Sequence, residues 1–237
     1  MKENQRIKKI ERELEEALIE RPIGFFNELF ENIPAPYFGL FGYLSFSGFI
    51  LIAFILYIIE DPTFSIFQNW ISQLSVGKEG SNFFFLLALS FSSPFIFIFH
   101  YSLVNECYYK TNKTDLLLFL YSAASTETTG RFFAGIFPLT LNIVHGLFGG
   151  MYFFGALCFY SALFYLYKTC NEKNREKLIL TGLSAIMTTI FEIAEIYTSL
   201  TGQLFPFISN YFLEWIVYIT YLITNFRLVH ILFKDMK

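Results

Sequence analysis

Apolar residues in this chain come in long runs. Six stretches, at about 37–59, 81–104, 116–137, 142–167, 177–200 and 211–233, are nearly continuous in hydrophobic side chains. Each is long enough to cross about 30 Å of hydrocarbon at 1.5 Å per residue. They lack two-residue alternation, which argues against a membrane barrel. The pattern predicts an all-α, polytopic membrane protein built as a six-transmembrane-helix bundle.

The flanking segments have patterns of their own. Ile7, Ile10, Leu14, Ala17 and Leu18 recur at helical spacing among charges. They predict a short amphipathic helix, either an arm for the membrane surface or a partner, or a helix packed beside the bundle. Phe25, Phe26, Leu29, Phe30 and Ile33 make an interfacial segment, and Pro34 and Pro36 punctuate the start of the first span. Residues 1–36 thus precede a 37–233 transmembrane domain and a short 234–237 tail. In the 60–80 connection, Phe64, Ile66, Phe67, Trp70, Ile71 and Leu74 are too frequent for a solvated loop. They predict a helix lying on the outer surface, with Trp70 at headgroup level.

Composition excludes several classes of function. Hydrophobic residues make up 54% of the 237, Phe alone accounts for 32, and mean hydropathy is +0.48. Charged residues are 16%, against about 25% in soluble domains, too few to cover a water-soluble globule. A net charge of -3 offers nucleic acid no electrostatic footprint. Residues 1–20 are rich in Lys, Arg and Glu, unlike a cleavable signal peptide. Cys107, Cys158 and Cys170 stand alone, without ligand-like spacing. Of the 17 Lys and Arg residues, all but Lys78 and Arg131 fall on one side of a six-span topology. By the positive-inside rule that side is the cytoplasm, which holds both termini.

The candidate chemistry lies in the charges that interrupt the spans. Glu127 and Arg131 break the third run, Glu192 and Glu195 the fifth, and His145 and Glu214 sit about one turn into the fourth and sixth. Ionised groups are costly in lipid, so they face a bundle interior, a partner or a water-filled cavity. The topology places all six in the outer half of the bundle. Glu127 and Arg131 are four residues apart and share a helix face. Three carboxylates around one arginine can clamp spans three and five, with Ser122, Ser125, Thr126, Thr128, Thr129, Thr188 and Thr189 satisfying the remainder. They can equally line an outer cavity. There Arg131 would hold an anionic headgroup with Glu127, Glu214 and Ser72 as further binding groups, and His145, Glu192 and Glu195 would serve as acid/base groups.

Metal or cofactor chemistry is not expected. His100 and His230 count toward the cytoplasmic end, away from His145, and read as packing or interfacial residues. No Ser occupies a Gly-x-Ser-x-Gly elbow, and phosphate-loop, dinucleotide and haem signatures are missing. Gly146, Gly149, Gly150 and Gly155 read as a helix-packing face. The 201–210 connection reads as a lid over the same outer region.

Asn69-Trp70-Ile71-Ser72-Gln73-Leu74-Ser75-Val76-Gly77, with Asn82-Phe83, resembles the first-loop signature of the Frag/DRAM/Sfk-like membrane superfamily, and most nearly its uncharacterised six-span bacterial and archaeal branch. Gly135-Ile136-Phe137-Pro138 followed by His145 resembles that branch's link between spans three and four. Gln73 and Ser75 depart from the pattern, where an acidic residue and a glycine are common. The resemblance covers about residues 40–233. It implies six spans in the plasma membrane of a prokaryote, a link to lipid handling or remodelling, and Ser72, Pro138 and His145 as positions of interest. Three functions follow: a lipid-binding or lipid-processing protein, with headgroup or acyl transfer as its enzymatic form; a small-molecule or proton-coupled transporter; or a non-catalytic structural subunit.

Overall fold

The computed structural model describes residues 28–78, 80–108, 114–170 and 174–236. The expected amphipathic segment before residue 28 and the side chain of Cys107 lie outside the described residues. Among them, six long helices carry the chain: α1 (Ala35–Glu60), α2, α3 (Thr114–Ile136), α4 (Asn142–Thr169), α5 (Arg175–Thr201) and α6 (Asn210–Asp235). Helix α2 starts as Ser81–Leu86, passes through a π-helical turn at Leu87–Phe91 and continues as Ser93–Tyr108. Consecutive helices pack side by side and α6 returns to α1, closing a ring. The 61–80, 137–141 and 202–209 connections therefore share one end, termed here the loop end. The described chain starts and finishes at the terminal end.

The helices are inside-out relative to those of a soluble protein. On α5 the exposed stripe is Ile179, Leu183, Ile186, Ile190, Ile193, Ile196 and Leu200, while Lys177, Thr181, Ser184 and Thr188 are buried. Such a helix is stable only with hydrocarbon outside and polar partners inside. Five helices, all but α3, are long and apolar enough to cross a membrane. Helix α3 has 23 residues but carries Asp115, Glu127, Arg131 and a run of hydroxyls. The chain is an all-α polytopic membrane protein.

Backbone polar groups in such a bundle must be satisfied internally. Pro94 cannot donate to, or sit beside, the carbonyl one turn earlier, which accounts for the widened turn ahead of it. Hydroxyls compensate nearby: Ser92 donates to the Ala88 carbonyl, Ser93 to Leu89 at 2.6 Å, and Ser90 across to Phe132 on α3 at 2.7 Å. In the hydroxyl-rich middle of α3, Thr126 and Thr128 donate to their own helix, at Ser122 and Ala124.

Two glycines bring α3 and α4 into backbone contact. A Cβ on Gly130 would overlap the backbone of Phe148 and Tyr152, and one on Gly155 the backbone of Glu127. Gly146, Gly149 and Gly150 behave differently from the packing face expected of them. A Cβ on any of the three meets nothing within 4 Å, because no neighbouring helix covers α4 there.

The 61–80 connection also departs from expectation. It is not a surface helix but a series of turns ending in a 3-10 segment, Ile71–Val76, tucked into the bundle. Ile71 and Leu74 are fully buried, Leu139 N–H donates to Ser75 Oγ at 2.9 Å, and Ser81 Oγ–H bonds the carbonyls of Ala53 and Leu74. Trp70 packs edge-on against Tyr211, with ring centroids 4.5 Å apart.

Candidate functional site

The intramembrane charges form two separate groups rather than one. The first is sealed in the middle of the ring. Arg131 Nη2 donates to Glu127 Oε1 at 2.5 Å across one helical turn, and to Tyr152 Oη at 3.3 Å. The guanidinium lies between the Tyr152 and Phe46 rings, 4.8 and 5.4 Å from their centroids. Its Nε and Nη1 have no hydrogen-bond acceptor, so the π faces are what they meet. Glu127 Oε2 is 2.8 Å from His100 Nδ1, a close contact that falls short of straight hydrogen-bond geometry. His100 Nε2 reaches Tyr43 Oη at 2.8 Å, and its ring stacks on Phe159. With the Nδ1 proton directed toward the carboxylate, Nε2 is the nitrogen that accepts from the Tyr43 hydroxyl.

Glu127, Arg131 and His100 are 0%, 1% and 0% exposed. One carboxylate against one guanidinium leaves the cluster neutral, and it ties α1, α2, α3 and α4 together. His100 is a member that sequence reasoning missed. Counting residues along α2 put it near the terminal end and gave no reason to join it to Glu127. Arg131, expected to grip an anionic headgroup, faces its own glutamate and two aromatic rings instead.

The second group lines a cavity of about 330 Å³ at the loop end. Its walls include Ser72 from the 3-10 segment, His145 from α4, Glu192 and Glu195 from α5, and Glu214 from α6. Gly146, Gly149 and Gly150 line it as well, which explains why nothing fills the space above them. The mouth lies between α4 and α5, where Gly146 and Gly150 are exposed and Glu192 and Glu195 half-buried. Among the described residues that line it, none is Lys or Arg.

Three of the wall groups, Glu214, Glu195 and His145, are held by their surroundings. Glu214, 5% exposed, accepts from the Ile71 N–H at 2.7 Å, so the tucked 3-10 segment fixes it. Glu195 Oε1 accepts from Asn210 Nδ2 at 2.6 Å, and the same amide bonds Thr198 Oγ1 at 2.9 Å. His145, 7% exposed, has Nδ1 2.6 Å from the Phe137 carbonyl. A carbonyl only accepts, so Nδ1 carries the proton and Nε2 is the nitrogen left for the cavity. Trp215 Nε1–H donates to the Asn69 carbonyl at 3.0 Å, and Ser209 Oγ–H to the Phe67 carbonyl at 3.0 Å. The 202–209 connection thus fastens the 61–70 turns across the end of the bundle.

Chemically, the cavity offers three carboxyl groups, one imidazole nitrogen and one serine hydroxyl beside apolar walls. Among the described residues no trio of His, Cys, Asp and Glu is arranged to hold a metal ion. At the terminal end the buried Lys177 Nζ contacts the partly exposed Glu106 at 2.5 Å and the exposed Asp235 at 3.8 Å. Comparison with models of known families, with curated proteins and with solved structures finds no match.

Proposed function

We propose that this chain is a six-span lipid-binding protein that receives a lipid headgroup in the loop-end cavity. The observation that carries the reading is the cavity's position. It is polar, it is walled by His145, Glu192, Glu195, Glu214 and Ser72, and it opens between α4 and α5, the side on which hydrocarbon lies. A headgroup entering there keeps its acyl chains against the exposed apolar residues Ile143, Leu147 and Ile196. In this reading α3 is the sixth span, its charges neutralised by pairing within the ring. The distribution of Lys and Arg supports a cytoplasmic terminal end, with the cavity on the outer side. The proposed kinship with the Frag/DRAM/Sfk-like superfamily fits this arrangement, because Ser72 and His145, from its two signature segments, both border the cavity.

The test uses the glycine face. Gly149 and Gly150 line the cavity and a Cβ on either meets nothing within 4 Å, so Gly149→Leu or Gly150→Leu has open space to start from. The variants are expected to keep the wild-type melting temperature and to lose lipid retained through purification, read by native mass spectrometry. Undiminished retention in both would overturn the reading. Proton-coupled transport is a second reading, favoured by the line of buried polar groups from Tyr43 through His100 and Glu127 to Arg131 and Tyr152. Proton flux in proteoliposomes that Glu127→Gln abolishes would support it over simple lipid binding.

A further inference from the structure

The two walls of the cavity mouth have opposite electrostatic character. On α5, Glu192 and Glu195 face it with Glu214 behind them, and among the described lining residues no Lys or Arg offsets their charge. On α4, the lining residues Asn142 and His145 belong to the first turn of a 28-residue helix. The residue ahead of that helix is Leu141, whose side chain cannot cap the free N–H groups of the first turn. That end carries the positive pole of the helix dipole and favours an anion. His145, over nine-tenths buried, spends its Nδ1–H on Phe137, so its Nε2 is an acceptor that suits the N–H groups of an ammonium.

We infer that the site selects a zwitterionic phospho-ammonium headgroup, its ammonium toward Glu192 and Glu195 and its phosphate toward the first turn of α4. This deepens the lipid-binding reading and rests on it. The anionic headgroup expected from Arg131 is replaced, because Arg131 is sealed in the other cluster and the carboxylates would repel a net negative charge. An ammonium between two carboxylates makes charge-assisted hydrogen bonds in a site of low dielectric. A glycerol headgroup on the same phosphate supplies only neutral hydroxyls.

The experiment is competition for the full-length protein in detergent, read by native mass spectrometry. Phosphatidylethanolamine competes against phosphatidylglycerol of identical acyl chains, with soluble phosphoethanolamine as a third arm. The expected result is a preference of about tenfold or more for phosphatidylethanolamine, the scale of one charge-assisted contact. Glu192→Gln/Glu195→Gln is expected to abolish the preference while the melting temperature persists. If soluble phosphoethanolamine displaces the lipid at equal concentration, the same chemistry holds with a soluble ligand as its source. Equal binding of the two lipids, or preference for phosphatidylglycerol, overturns the headgroup assignment and leaves lipid binding standing. Absence of any bound lipid, with no phosphoethanolamine binding either, overturns both.

Discussion

Replacing Arg131 by Met separates a structural clamp from a ligand grip. The change leaves Glu127, 0% exposed, ionised beside His100 with its main counter-charge gone. Removing one partner of a buried pair costs about 3–5 kcal/mol. The lost stacking of the guanidinium between Tyr152 and Phe46 adds about 1 kcal/mol or more. Arg131→Met/Glu127→Met removes both charges, so its remaining cost is the lost stacking on Tyr152 and Phe46 and the lost contact to His100, about 1–3 kcal/mol together. The double variant should therefore be more stable than the single one, by equilibrium unfolding in mixed micelles. It should also retain bound lipid, because neither residue lines the cavity. The reasoning fails if the single change costs under about 1 kcal/mol, or if the two changes simply add. Loss of lipid from the well-folded double variant would join the two clusters into one functional unit.

Three further outcomes follow from local geometry. Gly155→Ala drives a Cβ into the backbone of Glu127 and should cost about 1–3 kcal/mol, whereas Gly150→Ala meets open space and should gain up to about 1 kcal/mol of helix propensity; chemical unfolding compares them. Asp61, beyond the end of α1, accepts from Thr63 Oγ1–H at 2.6 Å and Thr63 N–H at 3.0 Å, and these bonds hold its carboxyl below the usual range. A depressed folded-state pKa stabilises above the unfolded value and loses that contribution as pH falls through the folded one, so Thr63→Val should raise the Asp61 pKa in a carboxyl titration and lower stability near pH 7, though only slightly because solvent screens the site. In a cysteine-free background, a membrane-impermeant maleimide should label Gln203→Cys on intact cells and Glu28→Cys only after permeabilisation, the signature of an odd number of crossings, α1 to α5, between the two sites.

What could be read from the sequence was set by what varies along one dimension. Helix extents follow the hydrophobic runs because each span must match one hydrocarbon thickness, and the observed ends of α1, α3 and α6 lie within two residues of those runs. Depth is equally linear, so counting residues from the span ends is enough to group His145, Glu192, Glu195 and Glu214. Azimuth around the ring is not linear in the sequence. Glu127 and Arg131 point toward α1, α2 and α4, away from the α4–α5 mouth, and only the packing order of six helices fixes that. The same reason hid His100, whose partner is on a different helix, and misread Gly146 and Gly150. A small residue marks close packing or empty space with the same letter. The tucked Ile71–Val76 segment was obscured because apolar residues facing a core and apolar residues facing lipid have one composition.

The central claim is that a lipid occupies the space between α4 and α5 at the loop end. Photo-crosslinking with a phosphatidylethanolamine that carries a diazirine near its headgroup, followed by peptide mapping, tests it most directly. The account predicts adducts concentrated on residues 142–153 of α4 and 191–196 of α5, and their loss in Gly150→Leu. Adducts spread evenly over the exposed faces of all the helices, unchanged by that substitution, would contradict it.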